Sequence, residues 1–271
     1  MRGNERKDLS QMNASLISFE NVGKVFHADG RTVEAVRGIS LDVARGEFVT
    51  LVGPSGCGKS TLLNMTAGLL RPTTGTVRYG GAEIIGVNLG AGYMTQSDHL
   101  LPWRTVAGNI AVPLEIKGRP REETRDKVQT LIALLGLTGF ERSYPTQLSG
   151  GMRKRTALGR LLAYDPETLL LDEPFAALDA QLRLNMQIEL LRLSRRFNKT
   201  VLFVTHDLDE AAALGDRCVV FSARPGIITH VISSPLPRDR DLLRLRHDPR
   251  YMKTTAELWD LITPNLAAAA S

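Results

Sequence analysis

Residues 48–60, FVTLVGPSGCGKS, constrain the fold more than any other stretch of this sequence. FVTLVG is apolar throughout, as expected of a strand buried on both faces of a parallel sheet. It runs directly into the pattern G-x-x-x-x-G-K-[ST], and STLLNMTAGLL beyond it reads as a helix ending before Arg71–Pro72. Strand, glycine loop and helix in that order make a cradle for phosphate. Gly53, Gly56 and Gly58 let the backbone turn tightly, so that its N–H groups face a β-phosphate. The helix N-terminus adds positive potential, Lys59 reaches the β- and γ-phosphates, and the Ser60 hydroxyl can ligate Mg²⁺.

A second element completes the chemistry. LLLDEP reads as a buried strand ending at Asp172, which puts a carboxylate at the sheet edge where open α/β folds bind ligands. Asp172 is expected to hold Mg²⁺, and Glu173 to orient and deprotonate an attacking water. A third element, LSGGMRKR at 148–155, is open to two readings. Ser149 is a good N-cap for a helix starting near Gly150, and glycines are common there. The same serine and glycines also suit a second anion-binding loop.

Bulk properties exclude several classes. The net charge of +5 is a mild basic excess, and the densest charge run, Arg238 to Arg250, mixes signs, unlike a nucleic-acid arm. Two cysteines, Cys57 and Cys218, form neither a disulfide framework nor a zinc site, and the five histidines are scattered. The N-terminus lacks an apolar signal region, and no apolar run approaches the ~18 residues of a membrane span. The expectation is a cytoplasmic chain whose membrane partner, if any, is another polypeptide.

Residues 1–15 read as a disordered tail, 16–235 as an α/β domain, and 236–271 as a tail with one helix, Tyr251 to Ile262. From about 100 to 164 the pattern turns helical. One helix follows Pro120, with Val128, Leu131, Ile132 and Leu135 as its apolar stripe and Gly136 at its end, and another runs from Gly150 to Ala163. This stretch reads as an insertion. CVVFSARPGIITHVI reads as a hairpin around Arg224–Pro225–Gly226.

With these motifs in order, the sequence resembles the ATP-binding cassette family, the ATPase subunits of ABC transporters, over roughly residues 15 to 235. Gly53, Pro54, Ser55, Gly56, Cys57, Gly58, Lys59, Ser60 and Thr61 are similar to its Walker A motif, and LLLDE to Walker B. Gln96 in GYMTQ falls at the Q-loop glutamine, a catalytic and metal-associated position. LSGGM resembles the signature motif, ALD, ending at Asp179, the D-loop, and His206 in VTHD the switch histidine. Phe26 lies where the family stacks a ring on adenine. The resemblance implies a P-loop NTPase core with a mixed sheet, an N-terminal antiparallel β subdomain and an inserted helical subdomain. It also implies ATP and Mg²⁺ as ligands and a head-to-tail homodimer, in which Ser149, Gly150 and Gly151 serve the partner's nucleotide. A lid acting in cis is the alternative for that loop.

LLPWRTVAGNI, LSGGMRKR, DEPFAALDA and SARPGII are similar to the nitrate/sulfonate/taurine importer branch. That implies an integral membrane permease, an extracytoplasmic solute-binding protein, a place at the inner face of the cell membrane and no nucleic acid. In the family, the Leu101–Pro102–Trp103 region helps form the groove for a permease helix; a turn burying one indole is the other reading. Met94 and Thr95 before Gln96, and Met152 and Lys154 in the signature, depart from the family pattern. Cys57 reads either as a reactive thiol or as an inert small side chain. A soluble ABC ATPase and an unrelated phosphate-loop kinase are the competing classes; the signature and His206 argue against the kinase.

Overall fold

The structure is a computed structural model that describes residues 15–28 and 30–269. The expected N-terminal tail lies outside the described residues, apart from Ser15. Two long strands, β1 (Ser15–Ala28) and β2 (Arg31–Ala44), pair antiparallel. With β4 (Thr74–Tyr79) and β5 (Ala82–Glu83) they form a four-stranded sheet in the order β2-β1-β4-β5. The second sheet holds β3 (Phe48–Val52), β6 (Ala91–Met94), β7 (Thr168–Asp172), β8 (Thr200–Val204), β9 (Arg217–Phe221) and β10 (Ile228–Ser233), ordered β10-β9-β3-β8-β7-β6. All its pairings are parallel except β9 with β10, so the sheet is mixed.

Alternation along the parallel strands explains why they read as continuous apolar runs. Val49, Leu51, Leu170, Leu202, Val219 and Phe221 face the antiparallel sheet and helix α1 (Lys59–Thr66), whose Leu62 and Leu63 join the same cluster. Phe48, Val52, Leu169, Leu171, Val201, Phe203 and Val220 face the opposite way into a second cluster. Every residue of β3, β7 and β8 is buried, so each strand position has a packing partner and none can be polar without a bonded neighbour.

The second cluster continues into the helical stretch. Here α2 (Val106–Ile116), α3 (Arg121–Leu134) and α4 (Gly150–Tyr164) pack through Ile110, Leu114, Leu131, Leu135 and Leu158. The first of these lies in the stretch read as helical but is not one of the two helices read from the sequence, and it carries Pro113 inside it. It holds because Thr105 caps its start, accepting from the Gly108 N–H. Fully buried Asn109 also ties the helix to the preceding turn: its amide donates to the carbonyls of Leu101, Arg104 and Thr105, and its oxygen accepts from the Leu101 N–H.

On the same side lie α5 (Ala180–Arg196), α6 (Leu208–Leu214) and α7 (Pro249–Ala269), the last longer than the helix read from the sequence. Leu236, Leu242, Leu245, Leu258 and Ile262 are buried in this cluster, so the segment beyond 235 packs on the α/β body. Its anchor is an ion triad of buried Arg240 with partly buried Asp216 and Arg195. Asp216 accepts from Arg195 at 2.5 and 2.8 Å, from Arg240 at 3.0 Å and from the Phe48 N–H at 2.9 Å. Burial opposes ionisation of Asp216, but these donors outweigh it and hold its pKa below the ordinary value of 3.8.

Asp216→Ala leaves Arg240 buried without its partner and is expected to destabilise the fold by about 3–5 kcal/mol. The contribution of Asp216 is complete above its ordinary pKa and is lost as pH falls through the lower folded-state value. Urea unfolding of both proteins across that range should therefore show the gap narrowing as acid is added; a gap independent of pH would contradict the charge pairing.

Candidate nucleotide site

The site assembles at the C-terminal edge of the parallel sheet. After Val52 the chain enters the glycine loop, with Gly53, Gly56 and Gly58 at φ 151°, 74° and 103°. A Cβ on Gly58 would lie 2.3 Å from Val36 Cγ1 and 2.9 Å from the Ala35 carbonyl, so only glycine fits there. Gly58 precedes α1 without a capping side chain. Lys59 is 6% exposed and folds over the loop, donating to the carbonyls of Gly53 at 2.7 Å and Pro54 at 2.9 Å.

Strand register sets the height of the acids. Asp172 pairs with Val204, which pairs with Leu51, so the carboxylate is level with the strand end that feeds the loop. Alternation puts the Asp172 side chain on the face that carries α1, where it accepts a hydrogen bond from Ser60. Burial raises its pKa; the Ser60 bond and the charges of Lys59 and Lys154 oppose this, and Glu173 adds to it. Glu173 adopts φ 49° and donates its N–H to the Val204 carbonyl at 3.0 Å, which turns its side chain away from the strand line. His206 Nδ1 lies 3.4 Å from Glu173 Oε2.

An open cleft of about 300 Å³ brings together Phe26, Ser55, Gly56, Gly58, Lys59, Ser60, Thr61, Gln96, Asp172 and Glu173. Phe26, half-exposed on β1, comes from the antiparallel sheet. Oxygen donors from Ser60, Asp172 and Gln96 fit Mg²⁺, which takes few protein ligands and shares phosphate oxygens, and a cation there would relieve the buried Asp172 carboxylate. No cluster of three or more His, Cys, Asp or Glu suited to a metal exists among the described residues.

Several expected residues do not line this cleft: Gly53, Pro54 and Cys57 of the loop itself, His206, which reaches it only through Glu173, and, away from the loop, Ser149, Gly150, Gly151 and Asp179. Ser149 and Asp179 are N-caps, accepting from the N–H groups of Met152 and Leu182 at the starts of α4 and α5. Cys57 also points away from the cleft. Its side chain is 1% exposed within the cluster between the sheets, and Cys218 is wholly buried, its thiol pushed up to about 11 by burial. Trp103 is 71% exposed, so the turn at 101–103 does not bury its indole.

Sequence reasoning missed the cations that hold the loop after β6. Lys154 donates to the Gln96 carbonyl, Arg153 pairs with Asp98 at 3.1 Å, and Arg160 donates to the His99 carbonyl at 2.9 Å. All three lie on α4. The basic run after the signature glycines was the available signal, but its targets lie about 60 residues away in the chain. Arg183 likewise joins the carbonyl of Leu178 to Asp207, next to His206.

Phosphate loop, level carboxylate and sheet order together define a nucleoside-triphosphate site of the P-loop type. A profile described as ABC transporter matches residues 36–176. An uncharacterized ABC transporter ATP-binding protein of Methanocaldococcus jannaschii is 48% identical over 240 residues, covering 89% of this chain and 90% of that protein. The aliphatic sulfonates import ATP-binding protein SsuB of Bacillus cereus is 44% identical, covering 83% and 88%. Among solved structures, a dimeric ATP-binding cassette in a post-hydrolysis state bound to ADP and Pi matches with a TM-score of 0.74 and 30% identity, over 80% of this chain and 98% of that one. The chain belongs to the ABC transporter family as an ATP-binding subunit, and it is an ATPase.

Neither thiol of the native chain is expected to react promptly with a thiol reagent, and both should react once the chain is unfolded. Fast labelling of Cys57 in the native state would mean that the phosphate loop opens, and would restore the reactive reading.

Proposed function

We propose that the chain is the ATP-hydrolysing subunit of an importer at the cytoplasmic face of a cell membrane. ATP closes a head-to-tail homodimer of cassettes, and closure drives a permease that takes up a small anion such as nitrate, an alkanesulfonate or taurine, delivered by an extracytoplasmic solute-binding protein. The observation that carries this reading is the split of the motif residues. The phosphate loop and acids share one cleft, while Ser149, Gly150, Gly151 and Asp179 lie outside it at two helix starts.

Within the cleft, Phe26 stacks on adenine, and the loop from Gly53 to Thr61, which lines it with Ser55, Gly56 and Gly58 to Thr61, wraps its backbone around the phosphates. Ser60, Asp172 and Gln96 would hold Mg²⁺, which when bound supplies charge neutralisation to the transferring phosphoryl group. Glu173 orients and deprotonates the attacking water, and His206, 3.4 Å away, holds Glu173 in place. The serine and glycines that open α4 offer N–H groups and a helix N-terminus to a γ-phosphate. In a two-fold dimer each chain would supply this loop to the other's nucleotide. The dimeric state of the ADP-bound structural relative supports this arrangement over a lid in cis.

No helix among the described residues is long and apolar enough to cross a membrane. A groove on the far side of the 96–99 loop is where a permease helix docks in this reading. It is lined by Leu69, Val87, Leu89 and Ile116, all more than half exposed, with Asp98, His99 and Arg160 among its polar lining. An amphipathic helix suits that lining. Both SsuB and the exposed groove support a transport role over a soluble ATPase.

Glu173→Gln should bind ATP, lose hydrolysis by at least about a hundredfold, and elute as a dimer only with ATP and Mg²⁺. A variant that stays monomeric at saturating ATP removes the trans arrangement. Purified from membranes in mild detergent, the tagged chain should bring a multi-span permease with it. Recovery of a soluble partner alone would favour the non-transport class.

A further inference from the structure

The turn between β9 and β10, residues 222–227, has the sequence SARPGI and is built to hold one side chain over the phosphate loop. The Ser222 N–H donates to the Ile227 carbonyl at 3.0 Å, and the Ile227 N–H donates back to Ser222 Oγ at 3.1 Å. The turn is also stitched to the antiparallel sheet. Gly226 donates to the Ala35 carbonyl at 2.9 Å and accepts from the Arg37 N–H at 3.0 Å. A Cβ on Gly226 would sit 1.9 Å from the Cys57 carbonyl, so glycine is what allows this contact with the loop. Arg224 is the residue so presented. Its Nε and Nη2 donate to the Gly56 carbonyl at 3.1 and 2.9 Å, and its side chain lines the nucleotide cleft.

Among the described residues no carboxylate pairs with Arg224, whereas most arginines of this chain have one. Its guanidinium spends Nε and one Nη2 hydrogen on the loop, which leaves Nη1 to bind something else. An unneutralised fork anchored on a phosphate loop matches a phosphate oxygen.

We propose that Arg224 is a nucleotide-binding residue, a guanidinium delivered by the β9–β10 turn to the polyphosphate of the bound nucleoside triphosphate. It rests on the reading of the cleft as the ATP site, and it adds a positive charge from outside the phosphate-loop motif. Through Gly56, the same side chain braces the loop that it helps to charge.

The test is equilibrium binding of ATP and ADP to the full chain, by displacement of a fluorescent nucleotide, in the wild type and in Arg224→Gln and Arg224→Lys. Glutamine keeps a donor for Gly56 but removes the charge; lysine keeps the charge. Arg224→Gln should weaken both nucleotides about five- to tenfold and reduce the salt dependence of binding, with the unliganded melting temperature unchanged. Arg224→Lys should retain most of the affinity. If the glutamine variant binds as the wild type does, or if lysine loses as much as glutamine, the charge has no role and the proposal fails. Unchanged affinity with failed ATP-dependent dimerisation would assign Arg224 to the partner chain instead, which also overturns it. A wild type that binds no ATP would fault the reading of the cleft itself, a separate outcome.

Discussion

The contact on which the rest of the structure depends is that of the phosphate loop with the antiparallel sheet. Gly58 lies against Ala35 and Val36 on β2, Gly53 against Phe221 on β9, and Gly226 against Cys57. At each point a single added methyl would collide with its neighbour at 2.9 Å or less. The approaches of Gly58 and of Gly226, which is bonded to Ala35 and Arg37 on β2, lock the mouth of the parallel sheet to a sheet that contributes no carboxylate to the cleft. The gain is geometric. Phe26 and Ala35 on one sheet, and Asp172 and Glu173 on the other, become walls of one cleft. Neither sheet could make that cleft alone.

Burial on both faces then aims the acids. In β7, Leu169 and Leu171 point to the helical side and Leu170 to the side of α1, so Asp172 must follow Leu170. A one-residue slip of β7 would send Asp172 away from Ser60, and it would also bury polar atoms among Phe48, Phe175 and Phe203. The core that resists this slip is large. Truncating a side chain such as Leu169 or Leu202 costs about 2–5 kcal/mol in a packed interior, so the register is held by packing and not by the site. Glu173 breaks the alternation with its left-handed backbone and so escapes the strand to meet His206.

The parts legible in the sequence are those whose signal is local. FVTLVG and LLLDEP are short apolar runs with a ligand-bearing residue at their ends, and the structure has both as strands with that residue at the sheet edge. The cap Ser149 was visible as a helix start; that Asp179 caps the next helix was not. What escaped notice depends on side-chain bonds rather than on local pattern. Asn109 ties the helix that contains Pro113 to the turn just before it, by side-chain bonds that no periodicity reveals. Asp216 meets Arg195 from 21 residues before it and Arg240 from 24 residues after it, a pairing with no local signal. Cys57 is in a motif that faces phosphate, but backbone geometry, not residue type, turns its side chain into the core.

The 96–99 loop shows how such distant pairing bears on function. It borders the nucleotide cleft through Gln96 and the apolar groove through Asp98 and His99. Its backbone and its one acid are held by Arg153, Lys154 and Arg160, all on the helix that Ser149 caps. A loop bonded at three points to one helix has to travel with that helix when it shifts, because each bond lost inside a half-buried cluster leaves a charge without a partner. In a dimer where the start of α4 meets the opposite nucleotide, a displacement there would be carried along the helix to the floor of the groove. That route needs no change within the parallel sheet, whose buried strands have no room to move. In the proposed dimer, the buried parallel sheet would hold the cleft still while the helices between β6 and β7 moved.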